Sequence, residues 1–229
     1  MSARLWLIMA TFGVALGLGA LVLSSFPFDI SNERVQQAAI AGLVVAIGWL
    51  AGFGFRELSA YLVRQERLRD IHRALFAEIK HNLRNLGEIE ALVNHGNRMI
   101  ERTLDGDDFI PFVAHERNDT VYRSVIGEIQ VLPRSSIDIL VEYYGHVSAL
   151  DALIGDLRGE AVRSLSPRRR ADLYADYISI KVRLVLYGQD AMKVIDTYAN
   201  KGNRAARVKA DALERDRLER ERADRTAVQ

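Results

Sequence analysis

Two stretches of the chain carry no charge, and everything downstream of them alternates between apolar and charged positions. The first uncharged run, Leu5–Leu23, is about 19 residues long, close to the roughly 20 needed to cross the hydrocarbon of a bilayer. It exceeds the apolar segment of an ordinary secretory signal and no small-residue cleavage pattern follows it, which favours a membrane anchor. The second run, Ala38–Phe55, has the same character, and a span over about 36–55 follows. Pro27 supplies the turn between them, and Ser31 or Asn32 suits the N-cap of the second helix.

Beyond Phe55 the period becomes helical. Leu68, Ile71, Leu75, Ile79, Asn82, Leu86, Val93, Ile100 and Leu104 fall on one stripe at 100° per residue. No proline stands between Pro27 and Pro111, so one continuous helix is predicted from Val35 to about Thr103. Asp105–Phe109 then breaks it. A short helix follows, capped near Asn118 or Asp119, with Val121, Val125, Ile129 and Leu132 inward. A third runs from about Ser135 to Leu157, lined by Ile137, Leu140, Tyr144 and Val147. Ser166-Pro167 starts a fourth, striped by Leu173, Tyr177, Ile180, Leu184, Tyr187, Ala191, Ile195 and Tyr198, which Lys201-Gly202-Asn203 ends.

From Arg204 onward, opposite charges recur at helical spacing, as in Asp211–Arg215 and Asp216–Arg220, and apolar residues are too sparse for a core stripe. A solvated tail, helical or disordered, is expected there. The expected fold is therefore all-α. It comprises a two-span transmembrane hairpin over 1–57, a cytoplasmic antiparallel bundle of about four helices over 58–203, and a charged tail over 204–229.

Charge orients this arrangement. Arg4 precedes the first span, and Arg56, Arg64, Arg67, Arg69 and Arg73 follow the second, while the connecting loop holds Asp29, Glu33 and Arg34. The arginine excess belongs on the cytoplasmic side, so both termini are expected inside, at the inner membrane if the source is bacterial. The overall net charge of +1 gives no field to attract nucleic acid. The tail's acids nearly offset its arginines, with no interleaved aromatics, which argues the same way.

Candidate chemistry changes the picture little. The chain has no cysteine, which excludes disulfides, thiolate nucleophiles and cysteine metal sites. Glu78-Ile79-Lys80-His81 has the spacing of half a di-iron motif, but it occurs once and His81 lies off the apolar stripe, so no metal is expected. Asp105–Phe109 lacks the alternating ligands of a calcium loop. No nucleophile elbow, phosphate loop or dinucleotide fingerprint occurs, and neither catalysis nor a cofactor nor a small-molecule substrate is expected.

Two sets of residues stand out for assembly. Gly13 and Gly17, and Gly48 and Gly52, repeat small residues at the four-residue spacing that lets helices approach closely in lipid. Asn82 is the polar residue at the centre of the first soluble stripe, so its amide needs a buried partner, with Tyr144, Tyr177 and Tyr187 as candidates on the facing stripes. A satisfied structural network that fixes helix register is expected there. The function that follows is non-catalytic: a membrane protein presenting its cytoplasmic bundle to another protein or to copies of itself. The alternative is a membrane-perturbing effector or small oligomeric channel triggered through the bundle.

Overall fold

A computed structural model of the chain describes residues 33–106, 109–115 and 118–227. Among these residues every regular element is helical. Helix α1 covers Glu33–Leu86, α2 Ile89–Asp105, α3 Thr120–Val125, α4 Arg134–Arg158 and α5 Pro167–Ala227. Short 3-10 turns follow α3 (Ile126–Val131) and α4 (Glu160–Ser164). The chain divides into two compact units, Met1–Glu66 and Arg67–Gln229. The expected first span, with Gly13 and Gly17, lies outside the described residues.

In the N-terminal unit, α1 carries an 18-residue window of mean hydropathy 2.1, none of it buried. Ile40, Leu43, Val44, Val45, Ile47, Trp49 and Phe53 are all exposed along it. This is the one helix among the described residues that is long and apolar enough to cross a membrane.

In the C-terminal unit, the stripe expected on α1 is the buried one: Leu68, Ile71, Leu75, Ile79 and Asn82, joined by His72. The continuous helix to Thr103 is not what forms. Helix α1 stops at Leu86 because Gly87 takes a left-handed φ of 74°, where a Cβ is disfavoured, and its N–H closes onto the Leu83 carbonyl at 3.1 Å. Glu88 is extended, and α2 starts afresh at Ile89. That break resets the helical phase. Leu92, Gly96 and Thr103 are buried on α2, with Met99 and Ile100 partly so, while Leu104 is 48% exposed rather than inward.

Helix α4 starts one residue before its expected place and buries Leu140, Tyr143, Tyr144, Val147, Leu150 and Ile154. At the start of α5, Ser166 Oγ accepts the Arg169 N–H at 3.3 Å, the cap expected of a Ser-Pro start. Gly188 lets α5 approach its neighbours closely: a Cβ there would stand 2.8 Å from Leu83 Cδ2 and 3.0 Å from Tyr143 Cε2.

The tail is the second correction. Gly202 breaks α5, as expected, with φ 78°, yet the chain resumes as helix beyond it. Ala206 is fully buried and Leu213 is 7% exposed, both within the same core cluster as Ile139 and Val194. Arg217 lies over the Tyr187 ring at 4.5 Å and donates to Glu142 at 2.6 Å. Two buried residues seven apart, with Ala210 between them, are enough for a seam when the rest of the helix is solvated. Truncation after Asn203 is therefore expected to cost about 2 kcal/mol, chiefly the burial of Leu213. An unchanged denaturant midpoint for the truncated chain would contradict this packing.

Candidate functional site

The interior of the C-terminal unit holds a connected set of polar groups, and α1 supplies its centre. Asn82 and Glu78 stand one turn apart on the same side of the helix. Asn82 Nδ2 donates to the Asn118 carbonyl at 2.7 Å and to Tyr143 Oη at 3.2 Å. Its partner across the core is Tyr143, not Tyr144, Tyr177 or Tyr187. Tyr143 lies at the centre of the α4 row formed by Ser136, Leu140, Tyr143, Val147 and Leu150, whose spacing alternates between four and three residues. That alternation places Tyr143 on the buried face of α4, as it does its neighbours in the row.

Tyr144 turns instead to Glu78, donating to Oε2 at 2.7 Å. The same carboxylate accepts the backbone N–H groups of Val121 at 2.5 Å and Tyr122 at 3.1 Å. These are among the first donors of α3, which lack partners inside their own helix. Asp119, the residue at the N-cap position, makes no side-chain cap bond; its carboxylate accepts from Arg123 Nε at 2.5 Å. Glu78 thus caps α3 from 43 residues upstream. Tyr122 completes the cluster by stacking on Tyr144 at 3.8 Å. Arg67, three turns earlier on α1, forms a two-pronged contact with Glu128, at 2.6 and 2.5 Å.

These surroundings set the phenols. Burial, then the neighbouring Glu78 carboxylate, pushes Tyr144 far above the ordinary phenol range. Burial raises Tyr143 to about 12. Both stay protonated at any physiological pH, Tyr144 donating to Glu78 and Tyr143 accepting from Asn82, which suits hydrogen-bonded struts rather than acid–base groups.

The remaining candidates are dispersed. Tyr177 is buried, with Lys181 Nζ donating to its oxygen at 3.2 Å. Tyr187 is partly buried between the His146 ring, at 4.5 Å, and Arg217. His81 is exposed and pairs with Asn85. Gly48 and Gly52 face open space, for a Cβ on either would meet nothing within 4 Å. Among the described residues no cluster of three or more metal-ligating side chains occurs.

No protein-family model, curated protein or solved structure matches the chain. The functional reading therefore rests on the geometry of this chain alone.

Two features of that geometry go beyond the sequence pattern. His72 is 4% exposed, its Nε2 3.1 Å from Ser136 Oγ and its ring 4.9 Å from that of Tyr198. Burial lowers its pKa to about 4, so it is a neutral core residue at pH 7. Its place beside Ile71 and one turn before Leu75 and Phe76 is the signal the sequence offers. Next to the Asn82 network lies a cavity of about 140 Å³, bounded by α1, α4 and α5 and by Ala114, His115, Asn118 and Asp119 ahead of α3.

Proposed function

We propose that this chain is a non-catalytic integral membrane protein. In this reading a hairpin of two spans, about 5–23 and 36–55, anchors an antiparallel helical bundle in the cytoplasm. Both termini lie there, at the inner membrane if the source is bacterial. The bundle serves protein–protein interaction or self-assembly.

One observation carries the reading: the apolar window of α1 is wholly unburied. A core helix of comparable hydropathy would bury one face against its neighbours, and an uncovered apolar surface of this extent calls for lipid or another chain. Eighteen helical residues span about 27 Å, close to the hydrocarbon thickness. Gly48 and Gly52 leave open space along the same helix, which suits the close approach of a further span, whether Leu5–Leu23 or one from a second copy. The polar core supports the non-catalytic part, because Glu78 and Asn82 are occupied in holding α3 and α4 in place.

Mass measurement of the intact complex, after capture from gently solubilised membranes, tests this function. The expected mass is a multiple of 25.7 kDa or that of the chain with a bound partner protein. A bare 25.7 kDa monomer would contradict it.

A further inference from the structure

The apolar surface of α1 does not end with its uncharged run. Arg56 and Glu57 close that run, yet Leu58, Tyr61 and Leu62 continue one face with Phe55, at spacings of three and four. These four side chains are 47–72% exposed. At 100° per residue Arg56, Glu57 and Arg64 fall off this face. Traced back toward the start of the helix, the face is Ala41, Val44, Gly48 and Ala51. Positions alternating by three and four therefore run uncharged from Ala41 to Leu62, for three heptads. In the proposed membrane placement the hydrocarbon ends near Phe55. Leu62 stands about 10 Å further along an upright helix, past a headgroup layer about 5–8 Å deep, so lipid does not cover it.

We infer that a second copy of this chain covers the stripe, the two α1 helices lying parallel and in register so that Phe55, Leu58 and Leu62 of each form one seam. The inference rests on the membrane reading, which sets both helices in one bilayer in the same sense. Identical stripes then face each other at equal depth, and a period of 3.5 is the one that keeps two helices in contact over several turns. Area points the same way. The exposed parts of Phe55, Leu58, Tyr61 and Leu62 amount to roughly 400 Å², about half of the 800 Å² per partner that a stable pair buries. The same seam inside the bilayer supplies the rest, where Gly48 brings no Cβ between the backbones. Tyr61 and Glu66 flank the seam five residues apart, the spacing at which a side chain on one helix meets its counterpart on the other. The Tyr61 hydroxyl of each copy can therefore donate to the Glu66 carboxylate of the other.

The chain has no cysteine, so single cysteines introduced into the full-length protein read the seam without background. Oxidised in intact membranes, Phe55→Cys, Leu58→Cys and Leu62→Cys are expected to cross-link to twice 25.7 kDa. The yield should be about tenfold that of Ala60→Cys, Val63→Cys and Arg64→Cys, whose Cα atoms stand too far from their counterparts for a disulfide. Val63 is the sharpest control, being as apolar and as exposed as the seam residues but off their face. Leu62→Lys sets like charges against each other and should cut the Leu58→Cys cross-link about tenfold, whereas Val63→Lys leaves it unchanged. Both lysines replace exposed residues, so neither disturbs the bundle core. Background yield throughout 55–64, a maximum at Val63→Cys or Arg64→Cys, or a Leu58→Cys cross-link untouched by Leu62→Lys overturns the seam. A background scan in a chain captured with a different protein overturns it too, while leaving the interaction reading intact. Failure of the membrane reading itself registers separately, as a reporter beside Asp29 found in the cytoplasm.

Discussion

Lowering the pH from 7 to 4 is expected to remove about 3 kcal/mol of folding stability from the C-terminal unit, and His72→Gln to abolish that part of the loss. The His72 ring is enclosed between Ser136 on α4 and Tyr198 on α5, and charging it there forfeits the hydration of an imidazolium. Its pKa falls from 6.5 in the unfolded chain to about 4 in the folded one. Between those values the unfolded state binds more protons, so stability rises with pH. The contribution is complete above about pH 6.5 and is lost as the pH falls through about 4. The gap corresponds to about 3 kcal/mol. Glutamine keeps a polar partner for Ser136 and does not titrate. Denaturant midpoints of the two proteins should therefore lie close together at pH 7 and separate toward pH 4, where the parent falls below His72→Gln. Tyrosine near-UV circular dichroism suits the measurement, because both tryptophans, Trp6 and Trp49, lie in the N-terminal unit. Parallel pH profiles would contradict the enclosed, neutral imidazole.

Glu78→Ala is expected to destabilise the C-terminal unit by about 4 kcal/mol, because one carboxylate serves several donors. Three of them lose their acceptor at once: Tyr144 Oη and the backbone N–H groups of Val121 and Tyr122. A hydrogen bond to a charged group contributes about 1.5–3 kcal/mol, and a partly buried donor left unpaired costs about 1–3 kcal/mol. Alanine favours the helix slightly, which offsets only a few tenths of a kcal/mol. Glu78→Gln retains one acceptor oxygen but presents an amide N–H₂ to donors, and about half the loss is expected. Tyr144→Phe removes a single bond and should cost about 1–2 kcal/mol. Hydrogen exchange should accelerate first in residues 120–131, the segment that Glu78 and the Arg67–Glu128 contact hold to α1. A Glu78→Ala midpoint within about 0.5 kcal/mol of the parent would show that the carboxylate does not cap α3.

What could be read from the sequence follows from how many sides of each helix are covered. Helix α1 is buried along one stripe, and Leu68, Ile71, Leu75, Ile79 and Asn82 were legible from spacing alone. Helix α5 is covered on more than one side. Its expected stripe holds Tyr177, Leu184, Ala191 and Ile195, but Ala171, Tyr174, Ile178, Val185 and Val194 are buried as well. A single-face pattern reports only part of such a helix. The lack of proline carries no information about Gly87, whose left-handed φ ends α1 and shifts the phase of all of α2. The tail misled because small Ala206 and a single Leu213 make a seam without making an apolar stretch.

The polar site was legible only in half. That Asn82 needs a partner followed from its position; which partner it takes did not, because Tyr143 lies 61 residues away and adjoins an equally plausible tyrosine. Glu78 was visible only as part of a metal-like spacing. Its cap on α3 joins residues 43 apart, and no local pattern encodes such a contact. The expected first span, Leu5–Leu23, lies outside the described residues, and the proposed hairpin follows from composition and charge.

The side of the membrane on which Asp29 lies is the most direct test of the proposed membrane-anchored bundle. A compartment-sensitive reporter inserted beside Asp29, with companion fusions before Met1 and after Gln229, reads it in one experiment. The hairpin predicts that both terminal fusions report the cytoplasm and the Asp29 insertion the opposite side. An Asp29 reporter found in the cytoplasm together with both termini would contradict it.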